Sequence, residues 1–320
     1  MIRSDGSIQQ PEDRPAAANG RPRATAVTAL PGLVDPPASV EPRRTVDRDR
    51  YLDAVSGAPE AALAGAQLVL ALPPATAALG ADVRVSVVVP ALNEAENLPH
   101  VFGRLPEGLH EVIVVDGHST DGTAEVARRL RPDVRVVQQT GRGKGDALAL
   151  GFSVCTGDII VMLDADGSAD AGEIPRFVAA LRSGADFVKG SRFAQGGDSA
   201  DITTFRRVGN RGLNLVVNAL YGTSYTDLCY GYNAFWTRCL PYLRVDCSGF
   251  EVETLINVRV AKAGLVIHEV PSFEHCRIYG QSHLKPIRDG SRVLRTIALE
   301  RIPWLRRGRL AWAARRQPSP

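Results

Sequence analysis

The chain has 320 residues, 44% of them hydrophobic, enough to bury the core of one large domain or two small ones. Its 38 Lys and Arg stand against 35 Asp and Glu, and the resulting net charge of +3 excludes a whole-chain nucleic-acid binder. The five cysteines form no CxxC pair, so in a chain of this length they read as reduced thiols of a cytosolic protein.

Residues 1–82 are rich in Pro, Ala, Arg and Asp and show no sustained apolar period before Ala61. They are expected to be a disordered N-terminal segment, with one short helix near Glu60 to Leu72. The most apolar run, Ala61 to Leu79, contains Pro73 and Pro74 and is rich in Ala. It falls short of the roughly 20 strongly apolar residues of a membrane span. The first residues are polar and mixed in charge, unlike a signal peptide.

At Val83 the texture changes, and residues 83–300 read as the folded domain. Four β-branched runs follow, at Val85–Val89, Val112–Val115, Val134–Val137 and Ile159–Leu163, each fit for a buried strand. Between the second and third, Asp121 to Leu130 has helical periodicity, with Val126, Ala127 and Leu130 on one face and Asp121 placed to cap the first turn. Strand, helix and strand at about 25-residue spacing predict an α/β fold with a Rossmann-like, mostly parallel sheet flanked by helices. Further on, Arg206 to Tyr221 and Phe250 to Ala263 read as helices and Leu265 to Val270 as a strand. In the first of these helices the apolar positions are Leu213, Val216, Val217 and Leu220.

In such a sheet the ligand lies beyond the carboxyl ends of the strands. The fourth strand ends in Asp164-Ala-Asp166, where two carboxylates two residues apart can reach one cation from one side. Hard oxygen donors suit Mg²⁺ or Mn²⁺, which neutralise a diphosphate leaving group. Asp116, at the end of the second strand, can accept hydrogen bonds from a base or ribose. Gly141-Arg-Gly-Lys-Gly145 begins like a dinucleotide fingerprint, but the third glycine of GxGxxG falls on Asp146, so a nicotinamide site is excluded. Lys144 is left as a phosphate or base contact, with an exposed surface lysine as the plain alternative.

Three runs, Val87-Val-Val-Pro-Ala-Leu-Asn-Glu-Ala-Glu-Asn-Leu98, Ile113-Val-Val-Asp-Gly-His-Ser-Thr-Asp-Gly-Thr123 and Leu163-Asp-Ala-Asp-Gly167, resemble family 2 glycosyltransferases of the GT-A fold, within them the dolichyl- and polyprenyl-phosphate sugar synthases. Lys189-Gly-Ser-Arg192, Arg206 to Asn214, Tyr225 to Tyr232 and Arg277 to Ser282 extend the resemblance to about residue 300. It implies that Pro90, Asn93, Glu94 and Asp116 line a UDP- or GDP-sugar, with Asp164 and Asp166 holding metal and diphosphate. Arg192, Arg277 and Ser282 would approach acceptor or donor phosphates, a task suited to the arginine fork. It also implies inversion, by in-line attack of an acceptor oxygen on the anomeric carbon.

A polyprenyl phosphate acceptor is already ionised and needs no strong base, whereas a soluble hydroxyl or polysaccharide acceptor needs one. Candidates for that base are Asp227, Glu251 and Glu253, in that order; the alternative for Asp227 is to brace the active-site loop, and for Glu253 to be an ordinary helix-surface residue. Retention of Asp164 and Asp166 argues against an inactive nucleotide-sugar binder. A nucleotidyltransferase would carry a Gly-rich, Lys-containing loop after Val89, which is absent. Two departures stand out. Gly117 replaces the second Asp of the usual Asp-Asp-Gly-Ser, and His283 replaces the Lys of Gly-x-Ser-Lys, removing a constant positive charge.

Arg277 to Pro320 carries 11 Lys and Arg against two acids. Val293, Leu294, Ile297 and Ala298 lie at helical spacing and are expected to dock on the domain, with Pro303 ending the helix. In the tail, residues 301–320, Trp304, Leu305, Leu310 and Trp312 alternate with Arg306, Arg307, Arg309, Arg315 and Arg316. That pattern suits peripheral contact with the inner face of an anionic membrane, against the alternative of a solvated tail.

Overall fold

The four β-branched runs become strands β1 (Val85–Ala91), β2 (Glu111–Asp116), β3 (Arg135–Gln138) and β4 (Ile159–Met162). The computed structural model describes Leu79, residues 82–282 and residues 284–302. The expected helix near Glu60 to Leu72, the substitution at His283 and the Trp/Arg tail lie outside the described residues. Helices α1 (Leu98–Phe102), α2 (Thr123–Leu130) and α3 (Lys144–Val154) connect the four strands. Then follow α4 (Ile174–Arg182), β5 (Phe187–Ser191), β6 (Asp198–Ser199), α5 (Thr204–Tyr221), β7 (Asn233–Trp236) and α6 (Leu240–Leu243). The last elements are α7 (Val252–Lys262), β8 (Ile267–Pro271), β9 (Phe273–Glu274) and α8 (Pro286–Arg301).

Seven strands form one sheet in the order β3-β2-β1-β4-β7-β5-β8. All its neighbours are parallel except β7, which runs antiparallel to both β4 and β5. The period of two along a strand sorts its side chains between two cores. Val85, Val87, Val89, Val112, Val114, Ile159 and Val161 join Ile174, Phe177 and Leu181 of α4 on one face. Val88, Ile113, Val115, Ile160 and Met162 join Leu148 and Phe152 of α3 and Ile256 of α7 on the other. Strand β3 is the edge, so its valines are half-buried rather than covered on both sides as their sequence suggested.

Helix α8 docks as expected through Val293 and Ile297, which meet Val217, Tyr225, Leu228 and Val258 in a third cluster. Its Leu294 points outward, 51% exposed. Buried Arg259 of α7 ties α8 down by pairing with Glu300, 2.7 Å away, while its other side holds Asp246.

The folded body reaches upstream of the expected boundary at residue 82. Leu79 is 3% exposed and belongs to the first core cluster. Leu79→Ala in the full chain is therefore expected to destabilise the domain by about 2–5 kcal/mol, the usual cost of truncating a buried leucine, read from the midpoint of a urea melt.

Candidate active site

The carboxyl ends of β1, β2 and β4 lie side by side in the sheet, so the loops that follow them meet. After β1 the chain turns through Asn93, a non-glycine residue in the left-handed region at φ 57°. The turn is locked onto the loop after β2. The Asn93 N–H donates to Ser119 Oγ, Thr120 N–H donates to Asn93 Oδ1, and Glu94 N–H donates to Thr123 Oγ1. Asp121 serves this joint as well as the helix start, accepting from Ala95 N–H with one oxygen and from Thr123 N–H with the other. Burial raises its carboxyl, but the bonds from Thr123 and Ala95 outweigh that and hold it below its ordinary range. Asp116 ends β2 buried, accepting from Ser119 N–H at 3.2 Å. Pro90, Asn93, Glu94 and Asp116 thus share one rim.

Asp164 and Asp166 follow β4 and are each held by a cation. Lys144 Nζ lies 2.6 Å from Asp164 Oδ1 and also bonds Glu253 of α7. Burial lowers the lysine, but the charges of Asp164 and Glu253 prevail and keep it well above the usual range. Lys144 is thus a fixed charge and not a loose surface side chain. Glu253 is 7% exposed, not the surface residue its sequence allowed; burial and Asp164 push its carboxyl up while Lys144 opposes them. The glycines beside Lys144 make this possible. The carbonyls of Ser248 and Cys247 approach so closely that a Cβ at Gly143 or Gly145 would lie 2.2 Å from them. The Gly-rich run is therefore a close backbone contact.

Asp166 accepts from Ser168 N–H with Oδ1 and faces Arg277 Nη1, 3.3 Å away, with Oδ2. Arg277 also grips Glu94, so the loop carrying it crosses the site. Burial raises Glu94, and Arg277 and Asn97 oppose that without restoring its ordinary value. Tyr279 N–H donates to Asn97 Oδ1 and fixes the loop to the start of α1. Ser282 is exposed, and the contact it makes is local, from Leu284 N–H to its Oγ. Among the described residues no three His, Cys, Asp or Glu converge as a ready metal cage; Asp164 and Asp166 offer two carboxylates on one edge.

Three site residues expected from the sequence sit in other surroundings. Asp227 is fully buried, and its oxygens take bonds from Arg192 Nε at 2.7 Å, Arg192 Nη2 at 2.9 Å, Arg192 N–H and Asn210 Nδ2. A carboxylate so enclosed has the surroundings of a brace, the alternative its sequence allowed. Arg192 spends the rest of its fork on Glu274, 3.0 Å away, which leaves no donor pair for a phosphate. Glu251 is also set apart. It lines a cavity of about 310 Å³ with Asp146, Asp246 and Ser248, and neither Asp164 nor Asp166 is in that wall.

Several supporting residues lie in or beside the matching runs without having been assigned a role. Asn210, Asn214 and Asn218 recur every four residues on the inner side of α5. Each both donates to and accepts from the 225–229 loop or Asp227. Below that loop, fully buried Lys189 donates to the Tyr230 carbonyl at 2.8 Å. The loop then delivers Gly231, where a Cβ would lie 2.8 Å from both Lys144 Nζ and Glu253 Oε1. The three asparagines at helical spacing were the available signal for this clasp.

The brace is testable. Burial raises Asp227, but Arg192 outweighs it and holds the carboxyl below its usual range. Its stabilisation is present above the unfolded value near about pH 4 and is lost as pH falls through the folded one. Asp227→Asn is expected to cost about 3 kcal/mol at pH 7, with the difference from wild type shrinking in acid. Urea melts from pH 7 to pH 3 measure this; an unchanged melt with lost activity would instead mark a base.

A model of glycosyl transferase family 2 matches residues 86–240. Glycosyltransferase AglJ of Haloferax volcanii is 35% identical over 209 residues, 64% of this chain and 68% of that protein. Undecaprenyl-phosphate mannosyltransferase of Micrococcus luteus is 34% identical over 200 residues, covering 59% of this chain and 82% of the relative. Among solved structures, glucosyl-3-phosphoglycerate synthase from Mycobacterium tuberculosis, in complex with Mn²⁺, UDP and glucosyl-3-phosphoglycerate, superposes with a TM-score of 0.56 at 25% identity, over 70% of this chain and 81% of that one. With the mixed sheet and the rim of carboxylates, these likenesses identify the chain as a GT-A glycosyltransferase belonging to glycosyl transferase family 2.

Proposed function

We propose that the protein transfers a sugar from a nucleotide-sugar to a polyprenyl phosphate with inversion. The observation that carries this reading is the state of the three carboxylates that could deprotonate a hydroxyl. Asp227 is enclosed by Arg192, Glu253 is held by Lys144, and Glu251 faces another cavity. An acceptor that arrives as an oxyanion needs no proton removed, so positioning and electrostatics carry the rate. The Micrococcus luteus relative is named for such an acceptor, which supports the same reading over a soluble hydroxyl.

Asn93, Glu94 and Asp116 line the rim for base and ribose, with Pro90 shaping the turn. Lys144 sets the charge and position of Asp164. Arg277, joined to buried Glu94 and to Asp166, 24% exposed at the side chain, approaches a donor or acceptor phosphate. Asp227 and Arg192 position the 225–231 loop. The donor set fits Mg²⁺ or Mn²⁺: Asp164 and Asp166 are hard oxygen ligands, 34% and 24% exposed at the side chain, and such ions take one or two carboxylates plus substrate phosphates. Bound there, the ion would neutralise the departing diphosphate.

The test incubates the protein with Mn²⁺, polyprenyl phosphate and a panel of UDP- and GDP-sugars, and follows lipid-linked product. Transfer is expected with wild type, lost in excess EDTA, and reduced about 10²-fold or more in Asp166→Ala with the urea melt intact. Transfer undiminished in EDTA and in that variant would remove the metal assignment. Transfer to a soluble hydroxyl in preference to the lipid phosphate would remove the acceptor assignment.

A further inference from the structure

Helix α5 is built with its polar side inward. Asn210, Asn214 and Asn218 face the protein, and Val217 is the apolar residue buried among them. Outward stand Phe205, Val208 and Leu215, 66%, 63% and 71% exposed, with Val216 and Leu220 beside them. At about 100° per residue these five fall on one stripe opposite the asparagines. A continuous apolar stripe left in view marks a contact surface.

Charge says what kind of surface it meets. Residues 204–221 contain no Asp or Glu, and Arg206, paired with Asp201 before the helix at 3.0 Å, and Arg211 lie on opposite flanks of the stripe. Helix α8 packs beside α5, where Tyr221 Oη donates to the Ile297 carbonyl at 2.8 Å. It repeats the pattern, with Ile287 80% exposed and Leu294 outward, and with Arg288 and Arg295 exposed. The two acids of α8, Asp289 and Glu300, are both buried. Every exposed charged side chain of the two helices is thus cationic. Two such faces repel each other, which disfavours a second copy of this chain as the occupant.

We infer that α5, with α8 beside it, lies flat on an anionic lipid bilayer. The apolar stripe enters the boundary between headgroups and acyl chains, and the flanking arginines meet the phosphates. At 18 residues α5 is about 27 Å long. No helix among the described residues is long and apolar enough to cross a membrane, so this is a contact in the plane of the surface. The placement serves the lipid-phosphate reading proposed above, on which its purpose rests. The inner side of α5 clasps the 225–229 loop, and that loop leads to Gly231 beside Asp164. An acceptor headgroup in the bilayer would then reach the site along the loop that α5 holds.

The experiment is flotation of the full chain with vesicles free of polyprenyl phosphate, made of phosphatidylcholine alone or with phosphatidylglycerol. Wild type is expected to float with anionic vesicles at low salt and much less with neutral ones. Val208→Ser with Leu215→Ser should weaken binding about tenfold or more, and Arg211→Gln with Arg295→Gln about fivefold per charge. Urea melts confirm that both pairs fold. In parallel, transfer to a short polyprenyl phosphate dissolved in detergent is measured and should be equal in wild type and in Val208→Ser with Leu215→Ser. Flotation of that variant like wild type, absence of wild-type flotation, or self-association of the wild-type chain that the substitutions abolish would each overturn the inference. Flotation without transfer would sink the acceptor reading alone.

Discussion

Six carboxylates crowd the carboxyl edge of the sheet, and the site depends on how their repulsion is answered. Each of three cations spans two acids. Lys144 holds Asp164 and Glu253, Arg192 holds Asp227 and Glu274, and Arg277 holds Glu94 and Asp166. Two like charges 4 Å apart repel by about 4 kcal/mol at the effective dielectric of a protein surface, and each cation offsets repulsion between the two acids it joins.

The three bridges differ in depth, and depth sorts their roles. Arg192 is buried with both partners, where taking charges from water is costly and geometry must be complete. It therefore fixes the 225–231 loop and cannot exchange partners. Lys144 has 11% of its side chain exposed, between a buried glutamate and a rim aspartate. Arg277, 17% exposed at the side chain, likewise joins one buried glutamate, Glu94, to one rim aspartate, Asp166. Side-chain exposure rises from 3% at Arg192 through 11% at Lys144 to 17% at Arg277, the order a site needs if its floor is to be more rigid than its cover.

The strands and the Asp164–Asp166 pair were legible in sequence because they are local. β-branched runs and a strand-end DxD need no knowledge of distant partners, and β1, β2 and β4 formed where those runs stand. The roles of Arg192 and Asp227 were not legible in the same way. Their pairing spans 35 residues and that of Lys144 with Glu253 spans 109, so nothing near either residue announces a partner. An arginine that matches a phosphate-binding pattern and an arginine that has spent its fork on two buried acids look alike in one dimension. The same holds for Leu79, whose core position depends on a sheet assembled downstream of it.

Helix α5 shows where periodicity stops informing. Leu213, Val216, Val217 and Leu220 recur as an apolar face should, and the ordinary reading turns that face to the core. Val217 is buried, while Val216 and Leu220 stand outside. The inner contacts went instead to asparagines, because the 225–229 loop presents backbone N–H and carbonyl groups that an apolar face would leave unsatisfied. With Asn210, Asn214 and Asn218 committed inward, helical geometry obliges the residues half a turn away to face outward. A period of 3.6 locates a stripe but carries no sign for its direction; the polarity of what lies beneath the helix supplies that sign. Here it puts polar groups in the protein and apolar ones outside, which is the arrangement of a helix whose second solvent is lipid.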